Sequence, residues 1–272
     1  MKKAGLGIVA FVFAVYFGLG TLLVVAQRLL IFPAPDLPRQ TRDAHAARTG
    51  ADVIEVTAAD GTRLYGWHRP ATGDKAVILF HGNAATVVWE DQQALLAKQG
   101  FDVFIIAYRG YPGSEGSPSE EGLVQDAQAV WKYVSDTLKL PPERIVLHGK
   151  SLGGGVAAQL ASRVNPGALV LESTFTSVDD IAGATYWMYP TSILVRDRFR
   201  TRDVAKDIHC PVLVMHGVGD RVIPVSHGRA LSTLFEKGTY VEVQSPEHGL
   251  SLSVWEPTAQ AAYFELLNTV SP

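Results

Sequence analysis

Runs of apolar residues at successive positions constrain this sequence more than any other feature. Val77-Ile78-Leu79-Phe80, Phe104-Ile105-Ile106 and Val212-Leu213-Val214-Met215 leave no polar face. Strand side chains point alternately to the two faces of a sheet, so a strand apolar at every position is covered on both. That burial belongs to a mostly parallel sheet between helices. Eight strands are expected, at Asp52–Thr57, Arg63–His68, Ala76–His81, Phe101–Tyr108, Arg144–His148, Ala168–Leu171, Pro211–His216 and Thr239–Val243. Amphipathic helices separate them. Ser117-Pro118-Ser119-Glu120 reads as a capping box with proline at the first helical position. It launches the stripe Leu123, Ala127, Val130, Trp131, Val134 and Leu138. Val156 and Leu160 mark a further helix, and Pro257 opens the last. The expected fold is an α/β sandwich with functional groups at the carboxyl ends of its strands.

Ala4 to Ala26 is a run of 23 residues without a charge. As a helix it would be roughly 34 Å long, enough to span a bilayer core. A signal peptide has a shorter apolar core ending in small residues, and Val24-Val25-Ala26 is a poor cleavage site. The run is therefore expected to be an uncleaved anchor. Residues 1–38 form the transmembrane segment and tether, and residues 39–272 one catalytic domain. Lys2 and Lys3 precede the span, and Arg28, Arg39 and Arg42 follow it. The preferred orientation puts the amino terminus inside and the body on the non-cytoplasmic side.

The formal net charge of −3 argues against bulk nucleic-acid binding. Cys210 is the single cysteine, so an intrachain disulfide and a cysteine zinc site are both excluded. Cys210 is expected to be buried and inert. Gly149-Lys150-Ser151 resembles the end of a phosphate-binding loop, but that motif needs glycine where Arg144 stands. No nucleotide is expected, and no clustered metal ligands are visible, so no metal is expected either.

Gly149-Lys150-Ser151-Leu152-Gly153 carries the chemistry. It follows an expected buried strand and opens a helix beginning Gly153-Gly154-Gly155. A serine on such a strand-to-helix turn has its hydroxyl lifted above the sheet. Side chains two residues to either side would strike the neighbouring strand and helix, hence the glycines. Partners of a serine on this turn follow in the order acid, then histidine. Of the late histidines, His227 falls on an expected surface helix and reads as solvated. His248 follows the last strand and is the expected base. The acid is Asp220, in the turn Gly217-Val218-Gly219-Asp220; Glu172 is the alternative, though it reads better as a bond to loop backbone. The turn His81-Gly82-Asn83-Ala84 is expected to aim the Asn83 N–H at a developing oxyanion, with the Leu152 N–H as second donor. His81 reads as structural, and Asp91, Asp126 and Lys150 as surface or loop-pinning groups.

Several stretches together resemble the α/β-hydrolase superfamily, and within it the single-span, membrane-anchored serine hydrolases of the abhydrolase-domain type. They are Leu29–Pro33, Phe80–Ala84, Tyr108–Tyr111 through Glu120, Gly149–Gly154, Glu172–Ser177, His216–Asp220 and His248-Gly249. The resemblance implies a Ser151–Asp220–His248 triad, an α/β-hydrolase sandwich and no cofactor. Lys150 departs from it, since relatives often carry arginine there. Ser173 to His209 is longer than the crossover of about a dozen residues a parallel connection needs, so a small cap is expected. Its Phe175, Tyr186, Trp187, Met188, Tyr189, Ile193, Leu194 and Val195 form either an acyl-binding wall or packing on the sheet edge. Arg196, Arg198, Arg200 and Arg202 face either lipid head groups or water. The expected activity is hydrolysis of carboxylic esters or thioesters of small or lipid-like acyl groups. A serine peptidase of the same fold and a non-catalytic membrane adaptor are the alternatives.

Overall fold

A computed structural model describes residues 2–245, 248 and 256–270. Pro246, Glu247 and Gly249, which flank His248 in the sequence, lie outside the described residues. The strands are β1 (Asp52–Thr57), β2 (Arg63–Arg69), β3 (Lys75–Phe80), β4 (Phe101–Ile106), β5 (Ile145–Lys150), β6 (Ala168–Glu172), β7 (Val212–Gly217) and β8 (Gly238–Val243). They form one sheet in the order β1-β2-β4-β3-β5-β6-β7-β8, with β2 antiparallel to both its neighbours and every other pair parallel. All eight expected strands are present. β1, at the edge, alternates exposed and buried residues, whereas β4, β6 and β7 are buried throughout.

The helices are α1 (Lys2–Ile31), α2 (Arg39–Thr49), α3 (Glu90–Lys98), α4 (Glu120–Leu138), α5 (Leu152–Val164), α6 (Val178–Thr185), α7 (Thr191–Leu194), α8 (Thr201–Val204), α9 (Ser226–Ser232) and α10 (Pro257–Thr269). The start of α4 differs from the expected capping box by two residues. Ser119 is the cap, accepting from Gly122 N–H at 3.1 Å. Glu120 is drawn elsewhere: its carboxylate accepts from Arg198 N–H at 2.6 Å.

Register puts the business ends of the strands in one row. Phe80 pairs with Gly149, Lys150 with Glu172, Glu172 with Met215, and Gly217 with Val243. The loops after β3, β5, β6, β7 and β8 therefore leave from the same edge. The chain passes from β3 outward to β4, then returns to β5 on the other side of β3. That reversal opens a crevice where ligands bind in open α/β sheets. Asn83 and Ser151 follow the two strands that flank it.

α1 is the one helix among the described residues long and apolar enough to cross a membrane, over Leu6–Ile31. It runs past the expected end at Ala26, because Arg28 does not break it. Arg28 Nε instead donates to Asp197 at 2.9 Å. Asp197 also accepts from Glu120 N–H at 2.8 Å, so one carboxylate joins α1 and α4 to the segment before α8. Just beyond α1, Phe32 is buried in the core and the Pro33 carbonyl accepts from Ala84 N–H at 2.8 Å.

Candidate active site

Ser151 sits between β5 and α5 with φ 53° and ψ −120°. A positive φ is costly for a residue with a side chain. The surroundings impose it. Ser151 N–H donates to Glu172 O at 2.9 Å, and Ser151 O accepts from Thr174 Oγ1 at 2.7 Å. Glycine is required on both sides of the turn. A Cβ on Gly153 would lie 2.0 Å from the Phe80 carbonyl oxygen, and one on Gly149 2.2 Å from the Gly153 carbonyl oxygen. Backbone cannot yield to that, so α5 approaches β3 this closely only with hydrogen there.

The hydroxyl is met by a residue that follows β8, three strands along the sheet from β5. His248 Nε2 lies 2.9 Å from Ser151 Oγ, and His248 Nδ1 lies 2.7 Å from Asp220 Oδ2. Asp220 is itself held: its Oδ1 accepts from Val222 N–H at 2.8 Å and Ile223 N–H at 2.9 Å, and its Oδ2 lies 3.4 Å from His216 Nε2. Burial pushes the Asp220 pKa up. The bonds to His216, His248 and Ile223 N–H overcome that and hold the carboxyl well below the ordinary carboxylate range. A charged acceptor thus stands behind an imidazole whose other nitrogen faces the serine.

Glu172 is elsewhere. Contrary to the expected bond to loop backbone, its buried carboxylate lies 3.1 Å from His148 Nε2 and 3.7 Å from Lys150 Nζ. His148 in turn meets Gln92 at 2.9 Å and Tyr263 at 3.0 Å. This polar cluster beneath the turn has no counterpart in the sequence reading, because its members lie on four separate elements. His227 departs as well. It is half-buried rather than solvated, with Nδ1 3.0 Å from Thr176 Oγ1, and burial lowers its pKa. His81 is fully enclosed, its Nδ1 2.8 Å from Gly82 O, and burial pushes its pKa down to about 4. Asp126 pins a loop: it accepts from Arg109 N–H at 2.8 Å and Arg109 Nε at 2.9 Å. Cys210 is buried, which pushes its thiol up to about 12.

Two cavities meet at Ser151. The larger, about 350 Å³, is bounded by Asn83, Ser151 and Leu152 at its floor and by Phe175, Ile181, Tyr186 and Tyr189 of residues 173–209. Val222 and Ile223 border it beyond β7, and a further wall is Gly20, Leu23, Val24, Gln27, Leu30 and Ile31 of α1, a contribution the sequence reading assigned to no part of the body. The smaller, about 270 Å³, lies between Asn83, Thr86, Trp89, Lys150, Ser151 and His248. Lys150 faces this cavity with Nζ 5.3 Å from the centre of the Trp89 ring, so it is more than a loop-pinning group. Leu152 opens α5, and the first N–H groups of a helix lack intrahelical acceptors.

The segment 173–209 forms α6, α7 and α8 over the serine. Of its apolar residues, Phe175, Tyr186, Tyr189, Leu194 and Val195 line the larger cavity, while Trp187, Met188 and Ile193 are exposed. Three of its four arginines are half-buried and bonded within the cap while keeping part of their surface in water. Arg200 pairs with Asp179 at 2.8 Å, Arg202 bonds Asp180 and Ser177, and Arg198 Nε donates to Val195 O. Arg196 alone of the four is exposed.

Residues 75–193 match the family model of the alpha/beta hydrolase fold. The alpha/beta hydrolase domain-containing protein WAV2 of Arabidopsis thaliana is 31% identical over 286 residues, covering 91% of this chain and 90% of that protein. The chain belongs to the α/β-hydrolase family. Among other relatives of this α/β hydrolase, the uncharacterized protein Rv2307c of Mycobacterium tuberculosis is 36% identical, covering 82% of this chain and 80% of its own. The lysophosphatidylserine lipase ABHD12 of Danio rerio is 33% identical over 58% of this chain and 46% of that protein. In fold, the Pyrococcus furiosus esterase Pf2001 superposes with a TM-score of 0.70 at 21% identity, covering 88% of this chain and 97% of that one.

Proposed function

We propose that the protein is a membrane-anchored serine hydrolase that cleaves carboxylic esters or thioesters through an acyl-serine intermediate. The observation that carries this reading is the line of contacts from Ser151 through His248 to Asp220, at 2.9 and 2.7 Å. Ser151 Oγ attacks the acyl carbon while His248 Nε2 takes its proton. Asp220 fixes the imidazole with its proton on Nδ1 and stabilises the imidazolium. The N–H groups of Asn83 and Leu152 receive the oxyanion. As the tetrahedral species collapses, the bond to the leaving oxygen or sulfur breaks and His248 returns the proton to it. Water then repeats the sequence on the acyl-serine and frees the acid.

The larger, mostly apolar cavity takes the acyl chain, and the smaller one beside Lys150 the leaving group. An apolar chamber enclosed on several sides suits an acyl chain better than a peptide. The lipase activity in the name of the ABHD12 relative and the esterase name of Pf2001 support the same class. Residues 1–38 serve as a single-pass anchor and residues 39–272 as the catalytic domain on the non-cytoplasmic side, with the stretch from Gly20 to Pro33 serving both.

The test is fluorophosphonate labelling followed by peptide mapping, alongside turnover of p-nitrophenyl esters and acyl thioesters of graded chain length. Label on the peptide containing Ser151, lost in Ser151→Ala, is the expected result. A full-length protein that neither labels nor turns over any member of the series would overturn it.

A further inference from the structure

α1 and the cap are joined by an aromatic stack and a set of hydrogen bonds to backbone. Tyr16 and Tyr189 stack with ring centres 4.7 Å apart, and each hydroxyl reaches the other segment's backbone. Tyr16 OH donates to Met188 O at 2.7 Å, and Tyr189 OH to Tyr16 O at 2.9 Å. One turn on, a Cβ at Gly20 would lie 2.9 Å from the Tyr189 ring, so glycine lets the ring lie against the helix. Gln27 completes the joint, accepting from Arg196 N–H at 2.7 Å and donating to Leu194 O at 3.3 Å.

The rise of an α-helix turns these contacts into depths. The apolar stretch of α1 begins at Leu6. Tyr16 is ten residues further, or about 15 Å, which is half of a hydrocarbon core of about 30 Å. Arg28 is twenty-two residues on, or about 33 Å, just beyond that core. Arg28 and Arg196 then stand at head-group level, where cations belong. Everything bonded between those depths lies within one leaflet. That stretch of the cap exposes Trp187, 78% accessible, with Met188 and Ile193, on the segment that Tyr16 holds. Exposed large apolar groups beside an apolar helix mark a surface suited to lipid.

We propose that the cap is immersed beside α1 in the leaflet nearer the body, and that the chamber over Ser151 fills sideways from that leaflet. Leu23 and Val24 line the chamber at acyl-chain depth, while Leu30 and Ile31 line it near head-group depth. The substrate class that fits is an acyl ester or thioester dissolved in the membrane, its carbonyl near the head groups and its chain running along α1. This substrate assignment rests on the serine-hydrolase reading; the immersion of the cap does not.

Two measurements on the full-length protein test it. Reconstituted in phosphatidylcholine vesicles brominated along the acyl chains, the wild type should show a quenched tryptophan component that Trp187→Phe lacks. Equal quenching of the two proteins would put the cap in water or against a second copy, and would overturn the proposal. For the chamber, Leu23→Trp should lower the ratio of kcat/KM on dodecanoyl to acetyl esters about tenfold, as pocket methylenes do. An unchanged ratio in a variant that still inserts and labels would remove α1 from the acyl wall. If wild type fails to label or turn over, the hydrolase reading falls, while the bromolipid result still decides where the cap lies.

Discussion

Replacing Asp220 with asparagine separates the electrostatic role of the carboxylate from its structural one. Oδ1 accepts two backbone N–H groups and Oδ2 faces His248. An asparagine carbonyl can keep the first pair, so the turn survives and the loss in stability should stay near 1 kcal/mol. The amide nitrogen that replaces Oδ2 is a donor. It demands an acceptor on His248 Nδ1, which moves the ring proton to Nε2 and leaves nothing to receive the proton of Ser151. Charge adds to this. A carboxylate and an imidazolium whose centres are about 4 Å apart attract by about 4 kcal/mol at an effective dielectric of 20, or about three decades in rate. Asp220→Asn should therefore lower kcat on a p-nitrophenyl ester roughly 10³- to 10⁴-fold, in line with the tautomer effect in serine proteases. KM and melting temperature should move little. Glu172→Gln, whose parent residue faces His148 and Lys150 rather than His248, should cost far less. Near-wild-type turnover by Asp220→Asn, with loss of turnover in Glu172→Gln, would refute this reasoning and hand the acid's role to Glu172.

Ser151→Gly should be more stable than Ser151→Ala by about 1 kcal/mol, because glycine relieves the strain of a residue held at φ 53°. Equal unfolding midpoints would show that the turn stores no strain. Stability should also fall on mild acidification. Burial takes His81 from 6.5 to about 4, so between those values the unfolded chain binds more protons than the folded one. The stabilisation is complete above pH 6.5 and is lost as pH drops towards 4. A shift of that size is worth up to ~3 kcal/mol. His227, also lowered by burial, acts in the same sense. Asp220, with its pKa depressed, contributes above 3.8 and loses its part only below that value. Denaturant melts from pH 7 to 4.5 should show the slope, and His81→Asn should flatten it; an unchanged slope would assign the effect to other groups.

The eight strands are legible because burial on both faces writes apolar residues at every position of the central strands. Ser151, His248 and Asp220 come together because chain order and strand-end loops leave few arrangements, even though they lie 97 and 28 residues apart. What escapes the sequence is side-chain partnership across distant elements. Nothing local tells Ser119 from Ser117 as the cap of α4; the choice is made by Asp197 and Arg198, which engage Glu120 from almost eighty residues away. Arg200 and Arg202 look like a surface stripe until the cap folds and brings Asp179 and Asp180 to them. Glu172 finds His148 only through the pairing of β5 with β6. The inner wall contributed by α1 did leave a trace. Gln27 is a lone amide beside an otherwise apolar run, and such a residue needs partners that lipid does not supply. Arg196 N–H and Leu194 O are those partners.

The joint between Tyr16 and the cap also bears on how the chain is made. Its members are separated by 172 and 173 residues. At about 5–20 residues per second of synthesis, roughly 9 to 35 seconds pass between the emergence of α1 and that of the groups that cover it. Throughout that interval Gly20, Leu23, Val24 and Gln27 belong to a helix with no enzyme attached, and the amide of Gln27 must find other company. The chamber over Ser151 closes only when its last wall meets its first. A nascent chain released after Ser151 but before residue 173 would carry the anchor and the serine, but not the segment that seals one against the other.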